Sequence, residues 1–161
     1  MILLRGIDDT DTPSVLALNL ESEAVLSPMD ATRYAHLRAQ AEYARVLDED
    51  GGVVAFLLAF REGADYDSPN YRWFADRYET FLYIDRVVVA VSHQGRGLGA
   101  LLYDDLFAFA HASGVARITC EFDIDPPNAA SERFHARRGF REVGTQSLPT
   151  GKRVSLQSAN P

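Results

Sequence analysis

The segment Gln94-Gly95-Arg96-Gly97-Leu98-Gly99 has the composition of a phosphate-binding loop. It stands between an apolar run typical of a strand and a segment whose leucines recur at helical spacing. Glycine at the mouth of a helix lets the backbone approach a ligand closely and leaves several N–H groups pointing outward. Those donors, together with the helix dipole, favour a phosphate or pyrophosphate group. The first chemistry that the sequence indicates is therefore the binding of a phosphorylated cofactor.

Two other phosphate-binding patterns fit this loop less well. The dinucleotide fingerprint takes Gly95, Gly97 and Ala100 as its small residues and Glu121 as the acidic residue of the next strand. That fingerprint needs several strand–helix units after the loop, whereas the pattern after Glu121 predicts only a short helix and two strands. A nucleoside-triphosphate loop needs Gly-Lys followed by Ser or Thr, and the segment lacks this sequence.

Length and composition exclude several other classes of protein. The 161 residues predict a single domain over residues 1–161. Cys120 is the only cysteine and the four histidines lack metal-ligand spacing, so we expect no metal site. A net charge of −7 argues against a nucleic-acid partner. With neither a signal-peptide pattern nor an apolar run of the ~20 residues that cross a membrane, we expect a cytoplasmic protein with no membrane partner.

The elements that must position the loop follow a mixed α/β order. A polar segment rich in aromatic residues, 61–79, is predicted to be a loop. Helices are predicted from Thr12 to near Glu23, from Asp30, from the glycine loop to Gly114, and over Asn128–Arg138. Strands are predicted at residues 2–7, 42–48, 52–60, 81–91, 116–122, 140–146 and 152–157.

Two motifs on these elements resemble one known family. Gln94, Gly97 and Gly99 match the acyl-CoA loop of the GNAT superfamily of N-acetyltransferases, whose pattern is Gln/Arg-x-x-Gly-x-Gly/Ala. A later family motif, Asn-x-x-Ala/Ser-x-x-Phe/Tyr-x-x-x-x-Gly-Phe, is matched at Asn128, Ser131, Phe134, Gly139 and Phe140. The segments around the loop and before Asn128 also resemble a group of predicted bacterial acetyltransferases without an assigned substrate.

The resemblance implies a fold and a cofactor. The fold would be a mixed, mostly antiparallel sheet of six to seven strands, with splayed central strands and helices on both faces. The cofactor would be acetyl-CoA, its pantetheine pairing with the strand before the loop, where a backbone N–H of Val88 or Val89 would stabilise the oxyanion. The cofactor-binding residues implied in this way are Val87, Val88, Val89, Gln94, Gly95, Arg96, Gly97, Leu98, Gly99, Ala100, Asn128 and Phe134.

The resemblance also points to candidates for proton transfer to and from the reacting groups. Glu121 is the first candidate for the base, and Asp85 is the alternative, along with Tyr83; ion pairs with Arg86 or Arg117 would equally account for either carboxylate. His135 stands where the family commonly has a tyrosine acid, and a histidine near neutrality can donate a proton. Because of that departure, a non-catalytic acyl-CoA-binding module is the alternative function.

The acceptor is implied to be a primary amine of a small molecule or a peptide. Its binding residues would be Tyr71, Trp73, Phe74 and Tyr83, although the aromatic segment would also suit a lid packed permanently on its own sheet. The acidic excess lies mainly in residues 1–52, whereas residues 93–161 are slightly basic, so we expect a cationic acceptor. Many members of the family dimerise, which makes a homodimer one expected partner.

Overall fold

The predicted strands and helices occur in the predicted order along the chain. The computed structural model describes residues 1–23 and 26–161. Within them the strands are β1 (Ile2–Gly6), β2 (Tyr43–Glu49), β3 (Gly52–Arg61), β4 (Leu82–Val89), β5 (Ile118–Asp125), β6 (Arg141–Ser147) and β7 (Arg153–Ala159). The helices are α1 (Thr12–Glu21), α2 (Ala31–Gln40), α3 (Pro69–Ala75), α4 (Leu98–Ala112) and α5 (Ala129–Arg137). The strands form a seven-stranded, mostly antiparallel sheet, which confirms the predicted mixed α/β class.

The chain divides into two compact units. The first comprises Met1–Phe60 with Ile84–Phe107, and the second comprises Arg61–Tyr83 with Ala108–Pro161. The first holds the strand order β1-β2-β3-β4 and the second the order β4-β5-β7-β6. β4 pairs with β5 in parallel at Leu82–Ile118 and Tyr83–Thr119, which lie in the second unit.

Local signals set the helix boundaries of the first unit. α1 has Pro13 in its first turn, where the missing N–H has no intrahelical partner to lose. The Asp30 side chain accepts a hydrogen bond from the Arg33 backbone N–H at 2.7 Å and so caps α2. Residues 54–60 of β3 are buried, as expected of a central strand covered on both faces.

The predicted loop at residues 61–79 of the second unit is wrong in one respect, because it contains the helix α3. The Ser68 side chain caps that helix by accepting from the Tyr71 N–H at 3.4 Å, and Pro69 occupies its first position. Serine followed by proline is a helix-start signal, and it outweighs the loop-like composition around it. Tyr71 and Phe74 of α3 are buried.

α3 packs closely on strand β6 of the same unit. The Trp73 ring lies against Gly144, and a Cβ placed on that glycine would overlap with Trp73 Cζ2. The Arg77 guanidinium covers the same ring at 3.8 Å from its centroid. A side chain at residue 144 would therefore have to displace the indole.

Gly144→Ala is expected to lower the free energy of unfolding by about 1–3 kcal/mol, because overpacking forces neighbouring side chains to move. Urea denaturation checks this value, with Gly6→Ala as the control, since a Cβ at Gly6 would meet nothing within 4 Å. Trp73→Leu should remove most of the cost of the added methyl group. Equal stability of the Gly144→Ala and Gly6→Ala variants would contradict the packing described.

No helix in the described parts of the chain is both long and apolar enough to cross a membrane. Within the same residues there is no group of three or more histidine, cysteine, aspartate or glutamate side chains suited to a metal ion. Cys120 is buried on β5, and burial raises the pKa of its thiol, as expected of a residue packed in the core.

Candidate functional site

The glycine loop, residues 94–99 of the first unit, has the positive φ angles that glycine adopts readily. Gly95 and Gly97 have φ of +81° and +77°, a conformation that residues with a Cβ adopt only under strain. α4 begins immediately afterwards at Leu98, which is buried and so fixes the start of the helix against the core. The Gln94 side chain donates to the Val89 carbonyl at 3.4 Å and ties the loop to β4. This arrangement suits an anion held by backbone N–H groups.

The charged side chain of the loop is held by a carboxylate of the same unit. Arg96 Nη2 donates to Glu49 Oε2 at 2.8 Å, and His93 Nε2 lies 3.3 Å from Glu49 Oε1. The pKa of Glu49 is lowered, mainly by the hydrogen bond from Arg96 and then by the contact with His93. Glu49 was missed by the sequence reasoning, because its approach to the loop depends on the pairing register of β2 and has no local signal.

The other cofactor candidates are divided between the two units. In the first unit, β4 buries Val88 and leaves Val87 and Val89 half-buried, and Gly99 and Ala100 lie in the first turn of α4. In the second unit, Asn128 Oδ1 caps α5 by accepting from the Ser131 N–H at 3.2 Å. Phe134 of α5 is half-buried, with the Arg138 guanidinium over its ring at 4.7 Å.

Glu121 lies at the centre of a hydrogen-bond network in the second unit. Tyr83 Oη donates to Glu121 Oε1 at 2.6 Å and lies 3.0 Å from Oε2. Asn70 Nδ2 donates to the same Oε1 at 2.8 Å, and Asn70 Oδ1 accepts from Gln146 Nε2 at 2.9 Å. The network joins β4, β5, α3 and β6 around one half-buried carboxylate. Asn70 and Gln146 were missed by the sequence reasoning, since nothing in their local sequence indicates a partner so far along the chain.

The alternative base, Asp85, has a structural partner in the first unit. Asp85 Oδ2 lies 3.2 Å from Arg86 Nε, and both side chains are about 95% buried, with 6% and 5% exposure. Arg86 Nη1 also donates to Asn19 Oδ1 at 2.9 Å and to the Ser27 carbonyl at 2.7 Å. The two buried charges neutralise each other, as the alternative explanation of this carboxylate anticipated.

The proposed acid, His135, is buried in the second unit with 6% exposure. Its Nδ1 lies 2.7 Å from the Ser131 carbonyl, to which it donates, and its ring packs against Phe122, Phe134 and Phe140. Burial lowers the pKa of His135 below its ordinary 6.5, against the smaller opposite effect of the Ser131 hydrogen bond. The ring is therefore neutral at pH 7, and its contacts are those of a core residue.

A neutral, buried His135 makes the free energy of unfolding depend on pH. Because the folded-state pKa is depressed, the stabilisation is complete above pH 6.5 and decreases as the pH falls from 6.5 towards the folded-state pKa. Urea denaturation at pH 7.5 and 5.5 should show this decrease in the wild type and less of it in His135→Phe. The exposed His111→Gln is the control. Equal losses in His135→Phe and the wild type would contradict a neutral core histidine, and a large loss of kcat in His135→Phe would support the residue as the acid.

The predicted acceptor residues lie in the second unit, and most of them are buried. Phe74 has no exposed surface and Tyr71 has 3%. Tyr71 Oη donates to the Arg61 carbonyl at 2.6 Å and accepts from the Ala64 N–H at 3.0 Å. Trp73 packs on Gly144, and Tyr83 reaches the Glu121 carboxylate. Of these four residues, Tyr83 hydrogen-bonds to the Glu121 carboxylate. Tyr71, Trp73 and Phe74 have the packing contacts expected of a lid that lies permanently on its own sheet.

Three comparisons with known proteins bear on this site. Residues 12–140 match the family model described as the acetyltransferase (GNAT) family. The phosphinothricin N-acetyltransferase of Streptomyces coelicolor is 49% identical over 59 residues, which is 37% of this chain and 33% of that protein. The matched segment thus spans about a third of the length of that relative.

Solved structures with the same fold cover almost the whole chain. Arabidopsis thaliana Naa50, in complex with the bisubstrate analogue CoA-Ac-MVNAL, has a TM-score of 0.75 at 15% identity and covers 99% of each chain. The structure of yncA from Salmonella typhimurium with its cofactor acetyl-CoA has a TM-score of 0.74 at 19% identity, covering 99% of this chain and 94% of that one. At these identities the likeness concerns the fold.

Proposed function

Since the chain belongs to the acetyltransferase (GNAT) family, we propose that it transfers the acetyl group of acetyl-CoA directly to a primary amine. The observation that carries the proposal is the Glu121 carboxylate, held by Tyr83 and Asn70 as a base would need to be. The cofactor is supported by the glycine loop and by relatives whose structures contain acetyl-CoA or a CoA conjugate.

The residues of each unit have separate tasks in this proposal. In the first unit, the N–H groups of the loop and the start of α4 bind the pyrophosphate of the cofactor. Backbone groups of Val87, Val88 and Val89 bind the pantetheine, and one of their N–H groups stabilises the oxyanion. In the second unit, Glu121 accepts a proton from the ammonium group of the acceptor, directly or through water, which leaves the amine neutral and nucleophilic. Acetyl-CoA supplies the acyl group as a thioester: as the amine nitrogen bonds to the acetyl carbon, the thioester C–S bond breaks, and CoA leaves as the free thiol with the proton that the nitrogen loses.

The acceptor is proposed to be a small molecule or a peptide with a primary amine. The segment shared with a phosphinothricin N-acetyltransferase supports a small amine, and the bisubstrate complex of Naa50 supports a peptide amine. The expected cationic acceptor remains a prediction. One charge of the acidic excess in residues 1–52 is already neutralised within the first unit, because Arg96 from outside that segment binds Glu49.

The cofactor part of the proposal is tested by Gly97→Ala. A Cβ at Gly97 has open space but a φ of +77°, so the substitution moves the loop backbone and is expected to weaken acetyl-CoA binding about 10-fold or more. Gly151→Ala is the matched control, because Gly151 has a φ of +87° and equally open space outside the loop. Calorimetric titration with acetyl-CoA measures both. Equal affinities in the two variants would remove the loop from the cofactor site, and no binding by the wild type would overturn the proposal.

A further inference from the structure

We propose that Asn70, itself oriented by Gln146, is a positioning residue for the Glu121 carboxylate; this inference rests on the role proposed above for Glu121 as the base. The family resemblance assigns no function to either amide. Both belong to the second unit, together with the carboxylate on which they act.

Asn70 is a buried amide with two polar partners. It stands second in the short helix α3 with 8% exposure, directly before the buried Tyr71. Burying an amide costs free energy unless its donor and acceptor groups are both hydrogen-bonded. In Asn70 both groups have partners, since Nδ2 donates to Glu121 and Oδ1 accepts from Gln146.

The chemistry of the partners fixes the direction of this chain of hydrogen bonds. An ionised carboxylate can only accept, so the Asn70 NH₂ group must face Glu121. The Asn70 oxygen then faces Gln146, whose NH₂ group donates to it at 2.9 Å. Gln146 on β6 therefore holds the Asn70 amide in the one orientation that delivers a donor to the carboxylate.

Asn70 gives the Glu121 carboxylate a hydrogen-bond donor in addition to the Tyr83 hydroxyl. The Tyr83 hydroxyl lies 2.6 and 3.0 Å from the two Glu121 oxygens and has one proton to donate. Asn70 donates at 2.8 Å to Oε1, the oxygen that the Tyr83 hydroxyl also approaches more closely, so these two donors from different elements together restrain the rotation of the carboxylate. Donors to the charged form also keep a carboxylate ionised, which a base must be before it can accept a proton.

The experiment is a ¹³C NMR titration of the glutamate carboxyl groups, with the Glu121 signal assigned from its absence in Glu121→Gln. In Asn70→Ala the titration midpoint of Glu121 is expected about one pH unit higher than in the wild type, because one donor to the charged form is lost. Gln146→Ala should move it in the same direction by less. Gln157→Ala is the control: this buried amide of the same unit donates to Ser155 Oγ at 2.6 Å, and its loss should leave the midpoint unchanged.

A midpoint in Asn70→Ala that coincides with that of the wild type would overturn the inference. If Asn70→Ala does not fold, Gln146→Ala decides by the same criterion, since Gln146 is only half-buried on the edge strand β6.

Enzyme kinetics add a second readout. In Asn70→Ala we expect kcat to fall about 10-fold and the KM for acetyl-CoA to stay unchanged, with the acidic limb of the pH–rate profile at higher pH. Because the titration needs no turnover, an inactive wild type with a shifted midpoint would refute the proposed function and leave the role of Asn70 intact.

Discussion

Glu121→Gln is expected to lower kcat for acetyl transfer by about 100- to 10,000-fold, the usual contribution of a general base. Glutamine keeps the size of the side chain and can still hydrogen-bond to Tyr83 and Asn70, but it cannot accept a proton from the acceptor. The KM for acetyl-CoA should stay within about 2-fold of the wild type, because Glu121 is not among the residues proposed to bind the cofactor. Steady-state kinetics with saturating acetyl-CoA measure both constants.

Glu142→Gln is the matched control for this prediction. Glu142 is a carboxylate of the same unit that accepts from Ser155 Oγ at 2.7 Å, and the proposed reaction does not use it. Its substitution should leave kcat within a few-fold of the wild type. Equal kcat values for Glu121→Gln and Glu142→Gln would show that Glu121 is not the base.

Arg86→Met has the largest expected effect on stability, a loss of about 3–5 kcal/mol in the free energy of unfolding. The substitution leaves Asp85 as a buried charge without its guanidinium, and it removes the donor that reaches Asn19 and Ser27. Breaking a buried ion pair on one side costs more than removing both charges. The double variant Asp85→Asn/Arg86→Met should therefore regain a large part of the loss in urea denaturation.

The single variant Asp85→Asn tests the alternative base. If Asp85 is a structural counterion, Asp85→Asn should retain kcat at a temperature where it is folded. Near-complete loss of kcat in folded Asp85→Asn, with Glu121→Gln active, would make Asp85 the base instead. A stability of Arg86→Met within about 1 kcal/mol of the wild type would contradict the buried pair.

Local sequence signals predicted the elements of the fold well. Asp30 and Asn128 cap the helices that they were expected to begin, and Gly114 has a φ of +69° two residues after the last residue of the helix that it was expected to close. The glycines of the loop likewise have positive φ where the loop required them. Such signals act within a few residues, so their physical cause is present in the sequence itself. Family membership is confirmed by the family model, which covers both motifs up to Phe140.

The contacts that define the candidate site could not be predicted in the same way. Asn70 reaches Glu121 across 51 residues and Gln146 across 76, and both contacts depend on how α3 packs and how the strands are registered. The surroundings of His135 could not be predicted either: its motif position indicated an acid, whereas in the structure burial lowers its pKa and its ring packs against Phe140. The predicted wall residues Tyr71 and Phe74 proved to be buried, since an aromatic segment packs wherever apolar surface is available.

The most direct test of the central claim is acetyl transfer by the wild-type chain, followed by mass spectrometry with isotopically labelled acetyl-CoA. The acceptor panel contains phosphinothricin, other small primary amines and the peptide MVNAL. The account predicts at least one amine that gains a labelled acetyl group with stoichiometric release of free CoA, and that this product is lost in Glu121→Gln but not in Glu142→Gln. Binding of acetyl-CoA without transfer to any amine of the panel would contradict it and would favour a non-catalytic acyl-CoA-binding module.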